Sequence, residues 1–273
     1  MEVAKELQRE YNPAHPNYER WQKARDLSDE RAKFVECVLS SELDANGLKI
    51  LDIGAGEGST SKILSKNNLV FSLEPKSERI KKIEKTSSLQ PVIVEGLKLP
   101  FQSSSFDLII LQDVIEHLNI NKEFVDDLNH LLKKNGIIYL STPNRLSIIN
   151  IISDPHWGMP FLSLFNRSQI KKYFLKNFRK SDYNRNDIAE LLSLKDLFDL
   201  FNKNFAIQIC TKFSVNYLLN GGKGLVWSKF HLRLVKAVNS LGLKKLLIQI
   251  ANNKPGLLNK FFTPTFYIIL KKK

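Results

Sequence analysis

The sequence predicts an α/β fold: a doubly wound, mostly parallel sheet of seven strands with helices on both faces. Three observations predict it. Short apolar runs alternate with helical stretches over residues 48–144. The first run ends in a glycine-spaced turn, Gly54-Ala55-Gly56-Glu57-Gly58. Two more apolar runs, 205–210 and 265–270, stand downstream, the second alternating in TFYIIL. Strands separated by helices require crossover connections, and right-handed crossovers build a parallel sheet.

The elements follow in order. Residues 1–47 read as polar N-terminal helices. Within ERAKFVECVLSSEL, Phe34, Val35, Val38 and Leu39 share one face, and Asn46-Gly47 stops the helix. A core of alternating strands and helices is expected over 48–144. Its strands are placed at 48–53, 69–73, 91–94, 107–111 and 137–141, the last stopped by Pro143. Helices are placed between them at 59–65, 77–85 and 124–134. After Pro143 the rhythm breaks. Residues 145–204 read as a helical cap insertion facing the substrate, and 205–273 as the last strands with a basic helical segment. The whole is expected to form one domain.

Composition bounds the class. Hydrophobic residues make up 43% and charged residues 25% of the chain, an ordinary globular balance. A chain of 273 residues buries a core without disulfides or metal. Cys37 and Cys210 are read as two buried thiols, near no ligand-like cluster, so no metal is expected. The opening MEVAKELQREY is charged from its second residue and lacks the apolar stretch of a signal peptide. No run approaches the ~18 apolar residues of a membrane span. A cytoplasmic location is expected.

The net charge of +13 is unevenly placed. Residues 1–199 carry 28 basic and 28 acidic side chains, whereas residues 200–273 carry 13 basic ones and no acid. A neutral body therefore has a basic end, which bears on partners.

The chemistry-bearing motifs begin at Asp52. In an open parallel sheet, ligands sit beyond the carboxyl ends of the strands near the switch point. Gly54, Gly56 and Gly58 let the backbone turn sharply and approach a ligand. Their GxGxG spacing departs from the dinucleotide pattern, which wants glycine where Ser59 stands. Asp52, two residues before the first glycine, favours a cationic or hydroxyl-rich ligand over pyrophosphate. Glu74 closes the second strand, 20 residues after Gly54, where an acid accepts hydrogen bonds from ribose hydroxyls. VEGLKLPF (94–101) and LQDVIEHL (111–118) complete the set.

As a set, LDIGAGEG, LEP, VEGLKLPF, SFDLIILQDVIEHL and LKKNGIIYLSTPN resemble the class I S-adenosylmethionine-dependent methyltransferases, in their quinone-biosynthesis and small-molecule group (methyltransferase type 11-like). The resemblance spans roughly residues 48–144. It implies a Rossmann-like sheet and S-adenosyl-L-methionine as cofactor. It implies that Gly54, Ala55, Gly56 and Gly58 lie against the methionine part and that Asp52 helps hold its amino group. Glu74, followed by Pro75, would bind the ribose hydroxyls. Glu95 would meet the adenine, with Gly96 and Leu97 beside the ring. Gln112 and Asp113 would line the cofactor, and His117 would sit near the mouth.

Methyl transfer is an in-line displacement, so the protein mainly orients the reactants and excludes water. A general base is needed only for a hydroxyl or protonated amine acceptor. His117 and His156 are the candidates, histidine being tunable near neutral pH. His117 reads equally as a packing residue at a helix start. His156, in Asp154-Pro155-His156-Trp157, sits in a loop expected over the acceptor. Trp157, Met159, Phe161, Leu162 and Phe165 would form an apolar wall. His15, His130 and His231 have no supporting context.

Residues 225–251 show helical periodicity: Trp227, Phe230, Leu234, Val238 and Leu241 share one face, and Lys229, Arg233 and Lys236 the other. Such a helix either packs on the domain or lies against an anionic membrane. The expected acceptor is a small molecule or a lipid- or glycan-linked one. Nucleic acid is not the expected partner, since no aromatic-basic interleaving or Asn-Pro-Pro-aromatic motif occurs. Two other readings remain: an NAD(P)-dependent oxidoreductase, which Ser59 and Asp52 oppose, and a catalytically inactive cofactor-binding module.

Overall fold

The computed structural model describes residues 9–94, 99–226 and 229–273, with the backbone alone at 229 and 230. Its frame is a seven-stranded sheet in the order β3-β2-β1-β4-β5-β7-β6. The strands are β1 (Lys49–Ile53), β2 (Leu69–Leu73), β3 (Leu89–Val92), β4 (Phe106–Gln112), β5 (Leu132–Pro143), β6 (Phe205–Ile209) and β7 (Thr265–Lys272). β1 to β5 run parallel, and β7 inserts antiparallel between β5 and β6.

Strand alternation divides the core into two layers. Leu51, Ile109, Leu111, Ile138 and Leu140 face one side. There they meet Phe124, Val125 and Leu128 of α5 (Lys122–Leu131) and Leu197 and Phe201 of α7 (Leu194–Phe201). Ile50, Leu108, Ile110 and Tyr139 face the other, against Phe34, Val35, Val38 and Leu39 of α2 (Ser28–Ser40). Each large side chain so buried contributes roughly 2 kcal/mol. The four apolar residues singled out on α2 are all core.

Further helices include α1 (Tyr18–Asp26), α3 (Ser59–Leu64), α4 (Ser77–Ile80), α6 (Ile148–Ile152), α8 (Thr211–Leu219), α9 (Lys229–Ser240), α10 (Lys244–Ile250) and α11 (Leu257–Phe261), and the cap adds a helical run from Arg167 to Phe178. Several boundaries differ from expectation. The helix expected over 124–134 stops at Leu131, because Leu132 already pairs with Phe106 in the sheet. The helix expected over 77–85 closes after one turn. The basic segment expected as one helix is two. Gly242, at φ 67°, ends α9: its N–H donates to Asn239 O and that of Leu243 to Val238 O, the paired bonds of a left-handed cap.

The cap loses part of its expected wall. Trp157 and Leu162 are buried, with Phe165 packed beside them. Met159 and Phe161 point to solvent, Phe161 at 62% exposure. Cys210 is buried, but Cys37 is exposed, on the outer face of α2. No helix among the described residues is long and apolar enough to cross a membrane.

Candidate active site

The carboxyl ends of β1 and β4 adjoin at the switch point, where crossovers leave in opposite directions. The glycine turn leaves β1 there, and residues 113–117 leave β4. Gly54, Gly56 and Gly58 all take positive φ, which side-chain-bearing residues rarely adopt. Their surroundings differ. A Cβ on Gly56 would meet open space, one on Gly54 would strike Val114, and one on Gly58 would strike Ile83. Gly56 thus faces open cavity space, whereas Gly58 starts α3 and packs on the core layer; it lines neither cavity.

Glu74 is 4% exposed. One carboxylate oxygen accepts from Gly56 N at 3.0 Å and the other from Lys76 N at 3.1 Å. Burial raises its pKa against the pull of Arg79. Asp52 lies deeper. It accepts from Ser61 Oγ at 2.6 Å, and Ser72 Oγ donates to Ser61 in turn. Burial pushes Asp52 up to about 7, so a cationic group arriving beside it would convert it to a carboxylate. Gln112 accepts from Thr60. Asp113, at φ 53°, accepts from Ser141 and pairs with Arg31.

Two adjoining cavities open on these groups. The smaller, about 230 Å³, is walled by Asp52, Gly54, Ala55, Gly56, Thr60 and Gln112. The larger, about 870 Å³, runs from Glu74, Pro75 and Asp113 past Glu116, His117 and His156. Leu218, Leu225, His231, Leu234 and Val235 line it too. Glu10, Trp21 and Arg31 wall both. Glu95, Gly96 and Leu97, expected at the adenine, lie outside the described residues, as do Trp227 and the side chain of Phe230.

The two candidate histidines meet in the larger cavity, ring centroids 5.2 Å apart. Asp187 O lies 2.9 Å from His117 Nδ1. A carbonyl only accepts, so Nδ1 donates and Nε2 keeps its lone pair. Burial lowers the pKa of His117 and, more strongly, of His156, so both are neutral. Asp154 Oδ1 accepts from His156 N and Trp157 N, both at 2.8 Å, and so shapes the loop that presents His156. Beneath them lies Glu116, 1% exposed. Burial and the Asp113 carboxylate raise its pKa, so its carboxyl holds a proton at neutral pH. Glu116 Oε2 accepts from Thr142 Oγ1 at 3.0 Å. Glu116 Oε1 and His156 Nδ1 have no hydrogen-bond partner among the described residues, which marks them for a ligand's polar group. One donor atom each from Glu116, His117 and His156 lies within 4.8 Å of the others, so this trio is also where a divalent cation could be held.

The roof was not legible in the sequence. Glu10 pairs with Lys76 at 3.0 Å and Arg79 at 2.5 Å beside Glu74. His15 pairs with buried Asp182 at 3.1 Å and stacks on Trp21. Arg20 reaches Pro155 O at 3.2 Å, over Gly158, where a Cβ would strike its guanidinium. His231, given no role from sequence, lines the larger cavity.

Residues 51–140 match the family model described as a methyltransferase domain. This match, together with the motifs that fall within it, marks residues 51–140 as a class I S-adenosylmethionine-dependent methyltransferase domain. It is 28% identical over 138 residues to the mitochondrial ubiquinone biosynthesis O-methyltransferase of Schizosaccharomyces pombe, covering 46% of this chain and 49% of that protein. It is 26% identical over 197 residues to the ubiquinone biosynthesis O-methyltransferase of Pelagibacter ubique, covering 66% and 77%. The matched part is about half of the first protein, and 34% of a further relative from Rattus norvegicus. The fold is shared with a SAM-dependent methyltransferase of Thermotoga maritima, described as a possible histamine N-methyltransferase, at TM-score 0.53 and 18% identity over 94% of this chain and 95% of that one.

The methyltransferase site fits its cofactor, S-adenosylmethionine. An open glycine turn at Gly56, a buried acid at Asp52 and a carboxylate at the end of β2 are complementary to a compact, amine- and diol-bearing ligand. Asp52 and Gly54–Gly56 would hold the amino acid part, and Glu74 the ribose. When bound, the cofactor supplies an electrophilic methyl group on a positive sulfur.

Proposed function

We propose that this chain methylates a hydroxyl group on an acceptor with an apolar body, with His117 as general base. The observation that carries this is the Nδ1 contact of His117 with Asp187 O. It fixes which nitrogen carries the proton, burial keeps the imidazole neutral, and the ring lines the cavity beyond the glycine turn with Nε2 left as acceptor. Glu116 Oε1 and His156 Nδ1 stand ready to orient the acceptor's polar end, and the apolar residues of α8 and α9 receive its body. His117 would take the acceptor's hydroxyl proton on Nε2 as that oxygen accepts the methyl group a bound cofactor supplies. An amine acceptor would arrive protonated and need that proton removed first, in a chamber where Arg20 and Arg185 already raise positive charge. The curated relatives named as O-methyltransferases support the oxygen.

The test is transfer of labelled methyl from S-adenosylmethionine to a panel of phenols, amines and carboxylic acids. Phenols should be the substrates. His117→Ala should lower kcat by roughly 10²–10⁴-fold with little change in S-adenosylhomocysteine affinity. Methylation of amines alone, or an unchanged kcat, would reject the reading. Repeating the assay after EDTA treatment separates base from metal: activity lost to EDTA and restored by Mg²⁺ would reassign the trio as a cation site.

A further inference from the structure

Part of the lining of the larger cavity belongs to a segment whose outer face the proposed chemistry leaves without a role. Inward, α9 gives His231, Leu234 and Val235 to the cavity. Outward, it exposes Leu232, Arg233 and Lys236. The turn after it exposes Leu241 at 69%, and α10 exposes Leu246 and Ile250 at nearly half of their surface. Lys245 and Lys254 are exposed with them. α10 packs on α8, whereas α9 has no extensive packing along any strand or helix among the described residues. Exposed aliphatic side chains grouped with cations are unusual on a soluble surface and mark an interaction site.

We propose that α9 and α10 lie on the surface of an anionic lipid bilayer and that an acceptor with an apolar chain reaches the cavity from that bilayer past α9. The second clause rests on the acceptor reading above; the first stands on the surface alone. Charge complementarity selects the bilayer. From residue 200 onward the chain carries 13 cations and no acid. A solvated helix face ordinarily mixes both signs, and specific protein interfaces tend to deplete lysine. A surface of lysines around protruding leucines suits instead a diffuse negative field over an apolar interior. The same short helix separates that surface from the cavity, so lipid and acceptor would meet its two sides.

The test is sedimentation of the full chain with vesicles of phosphatidylcholine alone and of equimolar phosphatidylcholine and phosphatidylglycerol. The chain should pellet with the anionic vesicles and be released by high salt. The triple variants L241S/L246S/I250S and K244E/K245E/K254E should each weaken binding by at least about tenfold, while keeping wild-type S-adenosylhomocysteine affinity by calorimetry. With a long-chain phenol dissolved in the vesicles, both variants should lose transfer yet methylate a short water-soluble phenol at the wild-type rate. Equal pelleting with neutral vesicles, no pelleting, or unaffected variants would overturn the bilayer surface. So would a wild-type dimer that the variants turn monomeric, which would make this face a contact between copies. Equal loss on both phenols would overturn the delivery path. If S-adenosylhomocysteine fails to bind while vesicle binding holds, the enzymatic reading falls and the bilayer surface stands.

Discussion

Two covers close the larger cavity, and they are held in opposite ways. The N-terminal cover, residues 9–26, is pinned by buried or half-buried polar pairs: Glu10 to Lys76 and Arg79 by ion pairs, and His15 to Asp182 by a hydrogen bond. The C-terminal cover, α9, gives half-buried Val235 and the more exposed Leu234 to the cavity and turns Leu232 and Lys236 outward. Charged pairs of fixed geometry hold one register, while apolar contacts tolerate sliding. The first cover therefore suits the cofactor end, where the ligand is always the same. The second suits the acceptor end, where it yields.

The comparison predicts a graded set of effects. The largest lies beneath the fixed cover. Glu74→Ala removes a carboxylate that can take two charge-assisted hydrogen bonds, so S-adenosylhomocysteine affinity should fall roughly 100-fold, read by calorimetry. Unchanged affinity would move the cofactor away from β2. Next, the same cover should be the first to open in acid or on mutation. Although burial opposes it, Arg79 and Lys76 hold the Glu10 carboxyl below its ordinary value of 4.5. Its stabilisation is thus present above that value and lost as pH falls through the folded pKa. Glu10→Gln should cost about 2 kcal/mol in urea unfolding, and a loss confined to a few tenths would mean the latch carries little.

Asp52 gives a pH signature of the same sense but centred higher, because its pKa shift is opposite. Burial raises its carboxyl to about 7, so at lower pH it must release a proton to meet the cofactor's ammonium. Affinity should therefore rise through pH 7 and level off above it, by roughly tenfold in all. Asp52→Asn should flatten that profile; a profile equally steep in the variant would assign the proton elsewhere. The smallest effect belongs to the yielding cover. Gly242→Ala forces a side chain to φ 67° with open space around it, costing about 1 kcal/mol. Thermal unfolding should register this, whereas calorimetric cofactor affinity should not move.

The sequence was legible where function is written in local pattern. LDIGAGEG could be read because the turn must be glycine-rich wherever it stands, and Glu74 because it closes a strand at a fixed distance. Even there Gly58 misled: it has the motif's spacing, but its reason is the Ile83 side chain packed against it. The roof could not be read, since His15 and Asp182 are 167 positions apart and neither lies in a pattern. The partner that orients His117 is a backbone carbonyl, to which residue identity is silent. Met159 and Phe161 showed the opposite limit, for apolar character alone could not say which members of the cap would face inward. The basic helix broke in two because Gly242 adopted a left-handed cap, a choice periodicity does not register.

The insertion of β7 between β5 and β6 has a consequence for how such a protein diversifies. β6 and β7 are antiparallel neighbours, with Ile209 opposite Ile268. Everything from residue 210 to 264, including α9 and α10, is therefore an excursion whose two ends are already fixed side by side in the sheet. Lengthening or replacing such an excursion adds closure entropy only logarithmically. The acceptor wall can be exchanged as a cassette, leaving the glycine turn and Glu74 on their own strands untouched.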